Sequence, residues 1–579
     1  MRVYVVLIAL PAVMFGSRFQ MSVTGPEQAE PARSVVREVL GEESGCASDA
    51  LPLMPGWPVR VPCHPNFSPS RGAALADLDG DGRLEVICGS TSGRLYVWRY
   101  DGTPFPGWPR SLSAMNQYAP AVADVDLDGE YEIAVTTRGM TSGGQVYLFS
   151  ESGANEPGWP VSGLVGGNFS DSPTLADIDG DDTLEVIVGE RDYPVGHLHV
   201  LRHDGKEQPG AWPCSLDHVP AMGAAVADIN LDRAQEIIYS SYNSLYAFMA
   251  DGSMLPGWPV TMPNGRNFSY QSPALADVDG DDTLEIFVAL HKAGGGCYAF
   301  RHDGTVRAGW PAVFPRWTYC PPTVADLYRD GELKVVCGLQ GIIGGTADVL
   351  YAYDDKADTL AGFPVFGQGG AECNMTVADV DGDADMEVIY TSNMMTSADS
   401  LGYLYAVHHD GSPVSGWPLR PRGFTYLNGA TVADVDGDDS LDIIAVSACG
   451  GEMDVTIWEA GVPFSRMSWE WPTYQFDMRR TGRYRTATTA LSGQGLRPCS
   501  GSGFRMSPNP ARAGQSVEFT TGNVRLSSAE LYDRGGRILE RLELQAGACR
   551  LPEDLVPGVY FARVRAGALV LHSLKLVVE

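Results

Sequence analysis

The sequence predicts an all-β protein: a β-propeller, with eight blades favoured over seven, followed by a small C-terminal immunoglobulin-like β-sandwich. Three observations carry this prediction. A single pattern recurs eight times, with its first aspartates 47 to 55 residues apart. Each interval has room for four short strands. Fixed turn signals separate those strands, as 67 glycines and 39 prolines in 579 residues lead one to expect.

The chain opens on Arg2, an apolar run from Val3 to Phe15, and then Gly16 and Ser17. The run is shorter than the roughly 20 residues of a spanning helix, so residues 1–20 read as a secretory signal peptide. Residues 21–50 read as a linker. The expected location is secreted or on a bacterial outer-membrane surface, with no transmembrane anchor in the mature chain.

Residues 51–485 hold the repeats. The copies begin at Ala74 (ALADLDGDGRLEV), Ala121, Thr174, Ala225, Ala274, Thr323, Thr376 and Thr431. The first strand of each is short and ends at an aspartate cluster. The second is apolar, as in LEIFVAL. The third alternates, as in GRLYVWRY, which gives one buried face. An Asp-Gly turn follows in five copies, from Asp101-Gly102 to Asp410-Gly411. The fourth strand carries a Trp-Pro pair at Trp108, Trp159, Trp212, Trp258, Trp310, Trp417 and Trp471, with Phe363 in one copy. Proline suits an outer edge strand, where no ladder bond is lost. An extra Trp57-Pro58 precedes the first copy and is expected to close the ring against the last unit. Four strands repeated eight times is a propeller signature, because a lone blade cannot bury both faces. A solenoid is the alternative, but the array lacks obvious polar caps.

The aspartate clusters follow D-x-[DN]-x-D-x-x-x-[DE]. Six are complete: Asp77, Asp79, Asp81 and Glu85; Asp124, Asp126, Asp128 and Glu132; Asp177, Asp179, Asp181 and Glu185; Asp277, Asp279, Asp281 and Glu285; Asp379, Asp381, Asp383 and Glu387; Asp434, Asp436, Asp438 and Asp442. Alternating carboxylates in a glycine-containing loop converge on one point, and the last acid closes the cage from the next strand. Hard oxygen donors in a flexible loop suit Ca²⁺ better than Mg²⁺. Several structural calcium ions are therefore expected. The fourth copy (Asp228, Asn230, Asp232, Glu236) has Leu231 and Arg233 in place of glycines and is expected to bind weakly. The sixth has Tyr328 and Lys334 where acids belong. It is expected to be empty, with the lysine replacing an ion.

A net charge of −31 argues against nucleic acid as a partner. Eleven cysteines is an odd number, and no C-x-x-C occurs. Buried free thiols are the expectation.

These units resemble FG-GAP (VCBS-type) repeats of the integrin α-subunit propeller and of bacterial surface proteins. The resemblance implies a calcium-stabilised propeller with its ions on one face and ligand binding on the other. After a linker at residues 486–503, residues 504–579 resemble the C-terminal sorting domain of type IX secretion cargo. That match rests on Ser507-Pro508-Asn509-Pro510, Tyr532-Asp533, Gly535-Gly536, Gly558-Val559-Tyr560 and Lys575-Leu576-Val577-Val578. It implies secretion machinery as a partner. A lone adhesion or bracing module is the alternative.

No H-E-x-x-H, G-x-S-x-G or P-loop occurs, and no catalytic residue is assigned. Ligand candidates lie in the loops leading from one blade to the next: Asn66, Phe67, Tyr118, Asn168, Phe169, Asn267, Phe268, Tyr270, Trp317, Tyr319, Tyr426 and Asn428. Aromatic faces beside amides suit sugar rings, and packing between blades is the competing role. The expected function is a binding or adhesion module for extracellular carbohydrate or a surface protein. The alternatives are a polysaccharide-degrading enzyme, since rhamnogalacturonan lyases resemble this chain in having a calcium-rich eight-bladed propeller, and a structural surface component.

Overall fold

The computed structural model describes residues 17–24, 33–40 and 51–484 except Ser68, 140–142, 164–166, 263–266, 292–294, 342–345, Ala398, Tyr426 and 466–467. It also describes 505–507, 512, 515–520, 528–532, 538–544, 548–552, 555, 558–566 and 569–578. The chain divides into two compact units, Met1–Leu78 with Arg83–Ala490, and Asp79–Gly82 with Leu491–Glu579.

Eight antiparallel sheets make the propeller. In the first blade the inner strand Ala74–Ala76 pairs with Glu85–Ser90, that strand with Arg94–Trp98, and that with the outer Arg110–Ser111. The same order recurs through the sixth blade. Inner strands are three buried residues of the Ala-Val-Ala or Thr-Val-Ala kind, small enough to crowd the axis. Apolar faces of neighbouring blades merge: Ile87, Val97 and Trp108 of the first pack in one cluster with Val122, Ile133 and Tyr147 of the second. The repeat is therefore the unit of stability only in company.

The eighth blade is completed from the other end of the repeat region. Val59–Pro62, just after Trp57-Pro58, is its outer strand and pairs with Glu452–Pro463. Arg60 fixes this closure through a two-pronged ion pair with buried Asp454, Nε to Oδ1 at 2.8 Å and Nη2 to Oδ2 at 2.9 Å.

The tryptophans expected on outer strands have a shared task. In six of them the indole N–H donates to a carbonyl of the next blade: Trp57 to Tyr100, Trp108 to Glu151, Trp159 to His203, Trp212 to Ala250, Trp258 to His302 and Trp310 to Asp355, all at 2.7–3.0 Å. Phe363 occupies the same position without an N–H. A Trp159→Phe variant should thus fold and lose about 1 kcal/mol, the worth of one hydrogen bond, measured by denaturant unfolding. A loss above about 3 kcal/mol would mean that the ring volume, not the bond, carries the joint.

Trp471 departs from the expectation. Trp469–Trp471 is not an outer strand; it pairs with the inner strand Thr376–Ala378 of the seventh blade. From there to Tyr484 the chain runs along the propeller axis. Its carbonyls take the amide protons of inner strands in turn: Pro472 from Val432, Met478 from Val122, Arg479 from Leu175, Thr481 from Val226 and Gly482 from Leu275. An inner strand presents an unpaired edge to the axis, and this segment satisfies it. The outer strand of the seventh blade is reduced to a bridge between Leu404 and Leu419.

The stretch expected as the end of the leader (residues 17–20) and as linker also differs. Ser17–Thr24 and Arg33–Leu40 form a hairpin, and Arg18–Gln20 pairs with Met394–Thr396. Met394–Thr396 lies in the connection between the second and third strands of the seventh blade and forms a separate three-stranded sheet with the hairpin. Residues 1–16 lie outside the described residues. Nine cysteines are free thiols, seven of them buried, among the described residues.

The second unit contains a three-stranded sheet (Arg505–Ser507, Ser516–Thr520, Ala548–Arg550) and a four-stranded one (Ile538–Glu543, Ser528–Tyr532, Gly558–Ala566, Leu569–Val578), both antiparallel. Ala529 and Leu531 are buried two residues apart, as a one-faced strand requires. Among the described residues no helix is long and apolar enough to cross a membrane.

Candidate metal loops and ligand face

Each acid loop joins an inner strand to the second strand. Two of its residues take positive φ in every blade: Gly80 (73°) and Gly82 (89°) in the first, Leu231 (64°) and Arg233 (78°) in the fourth, Arg329 (52°) and Gly331 (87°) in the sixth. The loop shape thus survives the loss of glycine, though it costs strain at those residues.

The first aspartate organises the loop. Asp177 accepts the amides of Gly180 at 2.7 Å and Asp182 at 3.2 Å. Asp277, Asp379 and Asp434 accept the equivalent Gly amides at 2.7–2.8 Å. The closing acid is buried and spends one oxygen on the amide after the first aspartate. Glu85 takes Leu78, Glu132 takes Val125, Glu185 takes Ile178, Glu285 takes Val278, Glu387 takes Val380 and Asp442 takes Val435, at 2.7–3.2 Å. Its second oxygen faces the loop.

Ligand atoms of Asp124, Asp126 and Glu132 lie within 4.8 Å of one another, as do those of Asp177, Asp179 and Glu185, and of Asp277, Asp279 and Glu285. Asp77 and Glu85 keep the same spacing. In the seventh blade Asp381, Asp383 and Glu387 are joined by His408. The third acid usually turns back on its own loop, as where Asp181 Oδ1 accepts the Thr183 amide at 2.8 Å and Asp281 Oδ1 that of Thr283.

These residues fit a hard divalent cation. Asp124 Oδ1, Glu185 Oε1 and Asp436 Oδ1 are buried with no hydrogen-bond donor. Burial, then neighbouring carboxylates, pushes Glu132, Glu185 and Asp442 up to about 8. A divalent ion would remove that penalty.

Three loops depart from this pattern, and two of them carry their own substitutes for a cation. In the fourth, the Asn230 amide reaches Asp232 Oδ2 at 3.0 Å and Glu236 Oε1 at 3.3 Å. Asp228 accepts the amides of Asp232 and Arg233. In the sixth, Lys334 is buried and bonds Glu332 at 3.0 Å rather than the loop aspartates. In the fifth, Arg307 enters the acid group, with Nη2 2.9 Å from Asp279 Oδ2 and Nε 3.7 Å from Glu285 Oε1. Sequence reasoning missed this guanidinium. Its signal lies in the position three residues before the outer-strand tryptophan, which holds Phe105, Glu156, Arg307 and, with one inserted residue, Gln208. Gln208 Nε2 bonds Asp179 Oδ2 at 2.5 Å in the third blade. Glu156 is raised by burial, then by Asp126 and Asp128, which marks it as a further acid at the second.

Strand alternation puts the acid loops at one end of the blades and the blade-to-blade connections at the other. Most ligand candidates there are structural. Phe169, Phe268, Tyr118 and Asn428 are buried. Asn428 donates to the Val446 carbonyl. Asn168 accepts the Gly139 amide at 2.7 Å and Asn267 donates to Asn243 at 3.1 Å. Asn66 is exposed, and Phe67 packs edge-on to His64 at 4.6 Å. Tyr426 lies outside the described residues.

Three candidates do come together. Tyr270, Trp317 and Tyr319 join Tyr242 and His291, which sequence reasoning missed, in one aromatic group. Tyr242 stacks on Tyr270 at 4.9 Å, and His291 sits 4.6 Å from Trp317 and 4.8 Å from Tyr319. His218 and Tyr193 extend the row beyond Tyr242, at 5.1 and 6.2 Å steps. Tyr242 and His291 follow second strands, whereas Tyr270 and Trp317 precede inner ones, so spacing alone did not link them. Elsewhere, His199 lies among carboxylates, away from the aromatic group. It is buried between Glu190 (3.1 Å) and Glu207 (2.5 Å), and although burial disfavours its charge, the two carboxylates hold it at about 9.

Comparison with known proteins gives the following similarities. The family model of the FG-GAP-like repeat matches residues 77–135. Cartilage acidic protein 1 of Mus musculus is 23% identical over 494 residues, covering 75% of this chain and 73% of that protein. Among solved structures, the biofilm matrix protein Bap1 of V. cholerae is 13% identical with a TM-score of 0.49, covering 76% of this chain and 96% of that one. The PL11 rhamnogalacturonan lyase of Bacillus licheniformis is 16% identical with a TM-score of 0.44, covering 82% and 91%.

Proposed function

We propose that this protein is a secreted, calcium-braced propeller that binds an extracellular carbohydrate on the face opposite its acid loops. The observation that supports this reading is the aromatic group of Tyr242, Tyr270, His291, Trp317 and Tyr319, with neighbouring ring centroids 4.6–6.1 Å apart. Tyr270 and Trp317 keep part of their surface exposed. Aromatic faces pack on sugar C–H faces, while phenol and imidazole groups meet hydroxyls. Ca²⁺ would be held by Asp124, Asp126 and Glu132, by Asp177, Asp179 and Glu185, by Asp77 with Glu85, and by the Asp434–Asp442 loop. Its contribution there is charge neutralisation that ties the first strand to the second. The leader pattern ahead of the Ser17–Thr24 strand and the sorting-domain resemblance of residues 504–579 support export in this reading.

The test is binding of the full chain to a broad glycan and polysaccharide panel with calcium present. A hit is expected, and Tyr270→Ala or Trp317→Ala should weaken it about tenfold, or roughly 1.4 kcal/mol. Binding that both variants retain would move the site elsewhere. A folded protein that ignores the panel yet binds surface proteins would overturn the carbohydrate assignment. A product absorbing in the near ultraviolet would mark a lyase instead.

A further inference from the structure

The eight acid loops differ in one respect that bears on which ion they take. The position after Trp98 of the first blade's third strand, with its equivalents in the other blades, varies along the repeat. It is arginine in the first, third and fifth blades (Arg99, Arg202, Arg301) and Ser150, Met249, Asp354 or Glu459 in four others. In the seventh it is His408. His408 brings a ring nitrogen to within 4.8 Å of ligand oxygens of Asp381, Asp383 and Glu387. Its Nδ1 lies 3.1 Å from Glu387 Oε1, and its Nε2 3.9 Å from Asp381 Oδ2. Glu387 is fully buried, with Oε2 held by the Val380 amide at 2.9 Å. The third acid, Asp383, stays in the group here, unlike its counterparts in the second, third and fifth blades.

We infer that the seventh-blade loop is a site for a borderline first-row transition metal of the Zn²⁺ type, formed by Asp381, Asp383, Glu387 and His408, while its sister loops suit only hard cations. The chemistry is in the donor set. Ca²⁺ collects six to eight oxygens and gains little from imidazole. Zn²⁺ is satisfied by four donors and takes histidine nitrogen with carboxylate oxygen. A loop that supplies three acids and one imidazole in a single group meets that count. A glutamate buried on one side and held by a backbone amide keeps its free oxygen in place, as an orienting contact should. This assignment is independent of the ligand face.

The full chain, stripped with chelator and dialysed into millimolar Ca²⁺, is titrated with Zn²⁺, and bound metal per chain is measured after gel filtration. Co²⁺ serves as the spectroscopic probe. One zinc equivalent should resist the calcium, and Co²⁺ should give the visible absorption of a four-coordinate nitrogen and oxygen site. His408→Asn should weaken Zn²⁺ binding at least about tenfold and leave the calcium-dependent rise in melting temperature in place. His302→Asn, one position along in the fifth blade, should change neither. Parent protein that retains no zinc in calcium overturns the assignment without any variant. So does His408→Asn protein that binds zinc as the parent does. Should that variant fail to fold, His408→Arg, which copies the residue of the third blade, takes its place.

Discussion

Replacing Arg480 with methionine is expected to destabilise the propeller by more than about 4 kcal/mol, read as a lowered denaturant midpoint. Arg480 is fully buried on the axis. Its Nε donates to the Pro120 carbonyl at 2.9 Å and its Nη2 to that of Ala73 at 3.2 Å. Nη1 reaches Thr473 Oγ1 at 3.1 Å and the carbonyls of Tyr474 at 2.9 Å and Asp477 at 3.2 Å. Ala73 and Pro120 immediately precede the inner strands of the first two blades. The Arg480 carbonyl in turn accepts Thr174 Oγ1 of the third at 3.2 Å. This residue thus joins three blades to the axial segment, the first two through its side chain and the third through its carbonyl. Methionine fills much of the volume but donates to none of the five acceptors, and each buried acceptor left bare costs about 1–3 kcal/mol. Arg480→Lys separates charge from geometry. An ammonium keeps the charge but cannot span carbonyls on two blades at once, so it should recover only part of the loss. A midpoint shift worth under about 1 kcal/mol for the methionine variant would show that the blades close without this tie.

The axial segment also shows why some of this structure was legible in the sequence and some was not. Anything that recurs could be read by alignment of the chain with itself. The blade count, the acid loops with their closing Glu85, Glu132 and Glu185, and the closure by Trp57-Pro58 all follow from eight registers of one pattern. What occurs once has no such support. Residues 472–484 match no repeat, and the Trp471-Pro472 pair imitates the outer-strand signal that the true copies carry. The strand Trp469–Trp471 in fact serves the opposite edge of the sheet. Residues that act from one end of a repeat on the other were hidden for a related reason. Arg307 reaches Asp279 from 28 positions away, and its slot in the repeat is not uniform, holding Phe105, Glu156, Leu255 and Val414 in other blades. The Asn-Phe pairs were legible as a recurrence, but recurrence cannot separate recognition from packing. Burial does, and it puts Phe169 and Phe268 in the core.

Removing divalent cations should lower the melting temperature substantially at pH 8 and much less at pH 5.5. Burial, then adjacent carboxylates, raises Glu132, Glu185 and Asp442 to about 8 in the cation-free fold. Their ordinary values are 4.5 for glutamate and 3.8 for aspartate. Between those limits the folded chain binds more protons than the unfolded one, so the stability of chelated protein falls as pH rises from about 4 to about 8. Calcium acts in the other direction. It binds the ionised carboxylates, so its affinity grows as they lose protons, and each site filled at a hundredfold excess over its Kd contributes about 2.7 kcal/mol. The gap between calcium-loaded and chelated melting temperatures should therefore widen with pH. Scanning calorimetry at both pH values, with calcium or with chelator, measures it directly. Equal melts in calcium and chelator at pH 8 would mean that these loops are closed by hydrogen bonds alone. A gap that narrows with pH would place the cation outside the three buried acids. Asn230 and Arg307 sharpen the expectation, because the fourth and fifth loops already have internal substitutes. Calcium-dependent stability should hence reside in the first, second, third and eighth blades, so that Asp126→Asn weakens the calcium response while Asp232→Asn leaves most of it intact.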